Sequence, residues 1–205
     1  MTNESPVRIG HCVPDAPDVD VRVDGEMGFE EIAFTDLTDY AVLPSGSHEV
    51  SMSAHGETAS VTETTLDLDD DTSYTVLAMG VLAKDDIAVT AMVDDPGKVS
   101  DGMCHVRFAH ASPDAPAVDV RVADGGPTLF EGIGFRESSE YAPVDAGTYD
   151  LEVCPAGTDD VALALPDTIL EGGSAITAIA VGQVEDGSLS AVVAEDTTMT
   201  LAADD

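Results

Sequence analysis

Hydrophobic and polar residues alternate one by one along much of this chain. Val19, Val21 and Val23 interleave with Asp20 and Arg22, and Tyr149, Leu151 and Val153 interleave with Asp150 and Glu152. A period of two sends successive side chains to opposite faces of an extended strand, so these segments predict strands with one apolar and one wet face. Two stretches break the alternation. TVLAMGVL (75–82) and AITAIAVG (175–182) are continuously apolar, which predicts a central strand buried on both faces. Turn signals such as DG (24–25), PSGS (44–47), AHG (54–56) and EDG (185–187) punctuate the pattern, and no segment shows a capped amphipathic helix.

The pattern is written twice. VRIGHCVPDAPDVDVRV (7–23) returns as VRFAHASPDAPAVDVRV (106–122), with twelve of seventeen positions identical. Beyond a short insertion, Phe29, Phe34, Tyr40 and Gly46 correspond to Phe130, Phe135, Tyr141 and Gly147, and YTVLAMG (74–80) corresponds to ITAIAVG (176–182). The duplication spans almost the whole chain. Its seam is the Pro/Gly/Asp-rich DDPGKVSDG (94–102). Seven or eight short strands in each half predict an all-β chain of two tandem Ig-like antiparallel β-sandwich domains, residues 1–98 and 99–205.

Charge changes the picture next. The chain holds 41 Asp and Glu against 7 Lys and Arg, a formal net charge of −34, spread through runs such as DLDDD (67–71) and the terminal ADD. A surface so acidic repels itself at ordinary ionic strength, and molar salt shortens the screening length to about 3 Å. The composition therefore points to a chain adapted to high salt, as in extreme halophiles. With 43% hydrophobic residues in regular alternation, it is not a disordered acidic tail. The absence of a basic patch argues against nucleic acid. No apolar run reaches the length of a membrane span, and MTNESPVRIG does not read as a signal peptide, so the chain alone reads as cytoplasmic. Cys12, Cys104 and Cys154 allow one internal disulfide at most.

The repeated phrase concentrates the candidate chemistry. Pro14 and Pro17, with Pro113 and Pro116, make PDAP a stiff corner between two strands, and its Asp is suited to bonding backbone amides just downstream. Four of the seven basic residues, Arg8, Arg22, Arg107 and Arg121, lie inside the phrase. If the strands on either side of the corner are neighbours, Arg–carboxylate pairs across it brace the bend. His11 and His110 end an apolar face, which suits a hydrogen-bonded packing role. The sharper reading joins His110 with Cys104 and His105, or His11 with Cys12, in a soft-metal site, but the spacing fits no zinc pattern. His11, Asp15, Asp20 and Arg22, with His110, Asp114, Asp119 and Arg121, thus form a structural or possible binding corner in each repeat.

No nucleophile elbow, phosphate loop, H-E-x-x-H or C-x-x-C is present, so the expectation is a noncatalytic protein without cofactor or resident metal. Calcium binding by Asp15, Asp18, Asp20 and Asp24 fits no EF-hand loop, and Ala117 replaces Asp18 in the second copy; DLDDDTS (67–73) likewise loses its carboxylates near LEGGS (170–174).

VRFAHASPDAPAVDVRVADGG, with its echo VRIGHCVPDAPDVDVRVDGE, resembles the opening of the domain-of-unknown-function family 4397. The first copy departs from it at Cys12 and Val13. The resemblance implies a β-rich module used in tandem, a tendency to extracellular or cell-surface location, and no catalytic residues. The function expected is an interaction or structural module whose partner is another protein or an envelope component, with oligomeric state open. The alternative is a cation- or small-ligand-binding protein using the acidic corners.

Overall fold

The computed structural model describes residues 3–196, so the terminal ADD lies outside the described residues. The chain divides into two compact units between Asp95 and Pro96. The first contains strands β1 (Glu4–Cys12), β2 (Val19–Val23), β3 (Glu26–Ile32), β4 (Ala41–Pro44), β5 (Gly46–Ala54), β6 (Ser60–Leu68), β7 (Tyr74–Val81) and β8 (Asp86–Val93). The second repeats them as β9 (Met103–His110), β10 (Val118–Val122), β11 (Thr128–Ile133), β12 (Ala142–Asp145), β13 (Gly147–Pro155), β14 (Leu163–Leu170), β15 (Ala175–Val181) and β16 (Ser190–Glu195). The only helical element among the described residues is a single 3-10 turn, Leu82–Lys84.

Each unit is a sandwich of two four-stranded sheets. In the first the orders are β4-β1-β7-β8 and β3-β2-β5-β6; in the second they are β12-β9-β15-β16 and β11-β10-β13-β14. Val7, Ile9, Val19, Val21, Met52 and Val76 meet between the sheets of the first unit, and Val106, Phe108, Val118, Val120, Val153 and Ile176 between those of the second. Aliphatic side chains dominate both cores, with Phe108 and Phe130 stacked at 6.4 Å in the second.

The pairing departs from the expected antiparallel pattern at one place in each unit: β1 runs parallel to β7, and β9 parallel to β15. A second departure concerns the corner. β1 and β2 are not neighbours but lie in opposite sheets, because the proline-flanked bend carries the chain from one layer to the other. The arginines of these two strands therefore face different surroundings, and the expected brace between them does not form.

The predicted two-sided burial of β7 and β15 holds, since β7 is buried along its whole length and β15 nearly so. β1 is buried on both faces as well. Residues 35–38 hydrogen-bond along the same edge that β4 occupies further up, and Tyr40 then lies across the outer face over Arg8. Gly10 sits where this cover comes closest: a Cβ there would lie 2.6 Å from Leu77 and 3.3 Å from Leu37. The seam also begins later than its composition suggests. Asp94 is buried at 3% exposure and belongs to the first unit, whereas the Pro96 carbonyl accepts a 2.6 Å bond from His105 Nδ1 in the second.

Candidate functional site at the proline-flanked corners

His11 and His110 are the hubs of the two corners, each fully buried. The Val13 amide donates to His11 Nδ1 (3.3 Å), so the ring proton resides on Nε2, which donates to the Pro17 carbonyl (3.1 Å). His110 repeats this with the Ser112 amide (3.2 Å) and the Pro116 carbonyl (3.0 Å). The edges of Phe34 and Phe135 close the sites at 6.2 and 6.3 Å. Burial lowers the pKa of both imidazoles from the ordinary value, opposed in part by the proline carbonyls and by Asp18 and Asp36 at His11 or Glu137 at His110. A neutral ring thus holds both ends of the bend.

The corner carboxylates also bind their own chain. Leu82 and Ala83 amides donate to the two oxygens of Asp15 (2.7 and 2.8 Å), and Val184 and Glu185 amides do the same for Asp114 (2.8 and 2.9 Å). The PDAP aspartate therefore reaches across to cap the turn after β7 or β15, not the residues just downstream. Asp20 accepts from the Glu31 amide (2.9 Å), the Gly56 amide (3.0 Å) and His55 Nδ1 (2.8 Å). Asp119 accepts from the Gly132 and Gly157 amides (2.7 and 2.8 Å). These donors sit in left-handed backbone, with φ of 53° at Glu31, 66° at Gly132, 77° at Gly56 and 74° at Gly157, so each aspartate pins a strand irregularity and a turn.

The His55 bond and the two amides hold the Asp20 carboxyl down at about 2. Asp20→Asn leaves one amide without its charged acceptor and is expected to cost about 2 kcal/mol in chemical denaturation of the first repeat. An unchanged midpoint would contradict this role.

The two outer arginines differ. Arg121 Nε donates to Glu152 (2.9 Å) across the strand pair and Nη1 to Asp159 (2.6 Å). Arg22 faces Ser51 at the position of Glu152 and has no hydrogen-bond or ion-pair partner among the described residues. The expected carboxylate pairing thus forms in the second repeat, and with different residues from those across the corner.

The inner arginines brace each sandwich through residues that the sequence pattern did not single out. Arg8 Nε donates to Thr75 Oγ1 (2.8 Å), Thr75 donates to Asp94 (2.7 Å), and Tyr40, its ring 4.8 Å from the guanidinium, donates to the same Asp94 oxygen (2.7 Å). The second repeat rebuilds the cluster. Arg107 Nε and Nη2 reach Thr177 Oγ1 (3.0 and 2.8 Å), and Thr177 and Tyr141 reach Asp196 (2.7 and 2.8 Å). Burial and the neighbouring Asp94 charge raise the Tyr40 pKa. The signal available was spacing: Tyr, Thr and Asp recur in both copies at almost constant offset.

The structure does not assemble the soft-metal sites. Cys104 enters the apolar core while His105 turns to Pro96, and His110 lies six residues along the strand with both nitrogens engaged. His11 and Cys12 point to opposite faces, as neighbours on a strand must. No group of three or more His, Cys, Asp or Glu suited to a metal occurs among the described residues. All three cysteines are buried free thiols, and burial raises the pKa of each, to about 12 at Cys12. Among the described residues no helix is long and apolar enough to cross a membrane.

No curated protein matches the chain. The family described as Domain of unknown function (DUF4397) matches residues 5–121 and 122–205, so its segments meet within β10 and together cover nearly all of the sequence. With the two matches covering nearly the whole sequence, the chain belongs to the DUF4397 family.

Proposed function

We propose that the chain is a noncatalytic interaction or structural module, adapted to high salt and working at the cell surface or in a larger assembly. The observation that carries this reading is the use of the duplicated residues. His11, Asp15 and Asp20, like His110, Asp114 and Asp119, spend their polar atoms on their own chain, mostly on its backbone, in both repeats. Groups committed in this way hold a scaffold; a catalytic acid or base needs a face turned to substrate. The same commitment weighs against the cation-binding alternative, since a metal would compete with two amides at each carboxylate.

Salt adaptation rests on the net charge of −34. The melting temperature is expected to rise by roughly 10 °C or more between 0.1 and 3 M KCl, as screening removes carboxylate repulsion. A flat response would remove that part of the reading. The interaction role is tested by fractionating native cells in molar salt. The chain is expected with the envelope or in a high-mass complex, and recovery as a free soluble monomer would overturn it.

A further inference from the structure

The two repeats differ behind the corner. In the second, Ser112, Ala115, Val153, Ala162, Val184 and Leu189 line a recess of about 70 Å³ whose exposed wall is apolar. The aligned positions of the first repeat are Val13, Ala16, Met52, Val61, Leu82 and Ile87. There the chain supplies its own filling: Val13 and Met52 belong to the core, and Ala16, Val61, Leu82 and Ile87 pack against it. In the second repeat Val13, Met52, Val61 and Leu82 give way to the smaller Ser112, Val153, Ala162 and Val184. Val184 is left 47% exposed at the rim, as is Val161 beside Ala162.

The rim loses its one cation at the same place, while Asp85 and Asp86 of the first repeat give way to Gly187 and Ser188. Ala83 and Lys84 of the first repeat become Glu185 and Asp186, both exposed, and Asp159 and Asp160 precede Val161 on the other side. We propose that this recess takes a branched aliphatic side chain presented by a basic segment of another protein. The volume is about half that of a cavity that holds benzene, which suits the tip of a Leu or Val side chain and excludes an aromatic ring. The carboxylates of Asp160, Glu185 and Asp186 beside the opening favour flanking Lys or Arg, Asp159 being already paired with Arg121. The proposal rests on the interaction reading and gives one surface its occupant.

The test is an NMR titration of the full chain, at the lowest KCl concentration that keeps it folded, with the probe acetyl-Lys-Leu-Lys-amide. The amide signals of Ala162, Val184 and Leu189 are expected to shift saturably. Acetyl-Lys-Ser-Lys-amide and acetyl-Glu-Leu-Glu-amide are expected to bind at least about tenfold more weakly. Ala162→Val/Val184→Leu installs the residues of the first repeat, and is expected to abolish binding without lowering the melting temperature. Asp186→Lys leaves the recess open and is expected to weaken the Lys-Leu-Lys probe while strengthening Glu-Leu-Glu.

Equal binding of Lys-Ser-Lys would reduce the site to surface charge, and equal binding of Glu-Leu-Glu would remove the basic partner. Either result, a titration with Lys-Leu-Lys that fails to saturate, or undiminished binding by the folded filled variant overturns the proposal. If the filled variant does not fold, the three peptides on the unaltered chain decide. A chain found in a complex that ignores the peptide leaves the interaction reading intact and removes this site; a free monomer removes the reading itself.

Discussion

Arg107→Met is expected to lower the melting transition of the second repeat by about 15 °C and to leave that of the first in place. Arg107 is 3% exposed, its guanidinium is bonded to Thr177, and it lies 4.7 Å from the Tyr141 ring centroid. Methionine fills much of the same volume but leaves Asp196, 6% exposed, without the nearby positive charge. Removing one member of a buried charged cluster typically costs about 3 kcal/mol or more, and each kcal/mol moves a domain of this size by about 4–8 °C. Calorimetry of the full chain in molar KCl reads the effect, and Arg8→Met assigns the transitions by moving the other one. Arg22→Met is the control, because Arg22 is partly exposed and without a partner among the described residues; about 0.5 kcal/mol or less is expected. Equal effects at Arg107 and Arg22 would show that the buried clusters hold nothing.

The second large effect is acid sensitivity. Burial lowers the folded-state pKa of His11 and His110, so the unfolded chain binds protons that the folded corner refuses. Stability contributed by each neutral ring is complete above the unfolded value of about 6.5 and is lost as pH falls below it, by up to about 1.4 kcal/mol per pH unit per histidine. The structural cause is direct: the entering proton would sit on Nδ1, facing the Val13 or Ser112 amide that already donates there.

His48 and His55 act in the opposite sense. Asp24 and Asp20 raise their pKa values, so their contribution is full below about 6.5 and lost as pH rises through the folded values. Both lie in the first repeat, where they offset His11. The decline between pH 7 and 5 should therefore be clearest in the second repeat, and His110→Gln, which stays neutral throughout, should flatten it. Parallel curves for the two proteins would contradict the assignment.

The sandwich was legible in the residues because alternation, turn signals and the two continuously apolar stretches are local properties of a strand. The committed histidines were legible for the same reason, since His11 and His110 end apolar faces. Sheet membership was not. A period of two reports which residues share a face, and carries nothing about which strand lies alongside; the corner between VRIGH and VDVRV reads equally well as a bend within one layer or a step between two. The partners of Arg8 were hidden likewise. Thr75 is part of an apolar run, and Asp94 sits in a Pro/Gly/Asp stretch whose composition is that of a linker, yet parallel pairing with β7 and the end of β8 bring both beneath Tyr40.

That parallel pairing governs the order of events during synthesis. Arg8 waits for Thr75, 67 residues later, and Arg107 for Thr177, 70 residues later, so neither sandwich gains its central contact until most of its length has left the ribosome. Such high contact order makes folding slow, and the edge of the nascent first strand that faces away from β4 must remain unpaired meanwhile. With the chain dividing into two units after Asp95, the earlier one can finish before its successor has emerged, which keeps two corresponding strands from exchanging places.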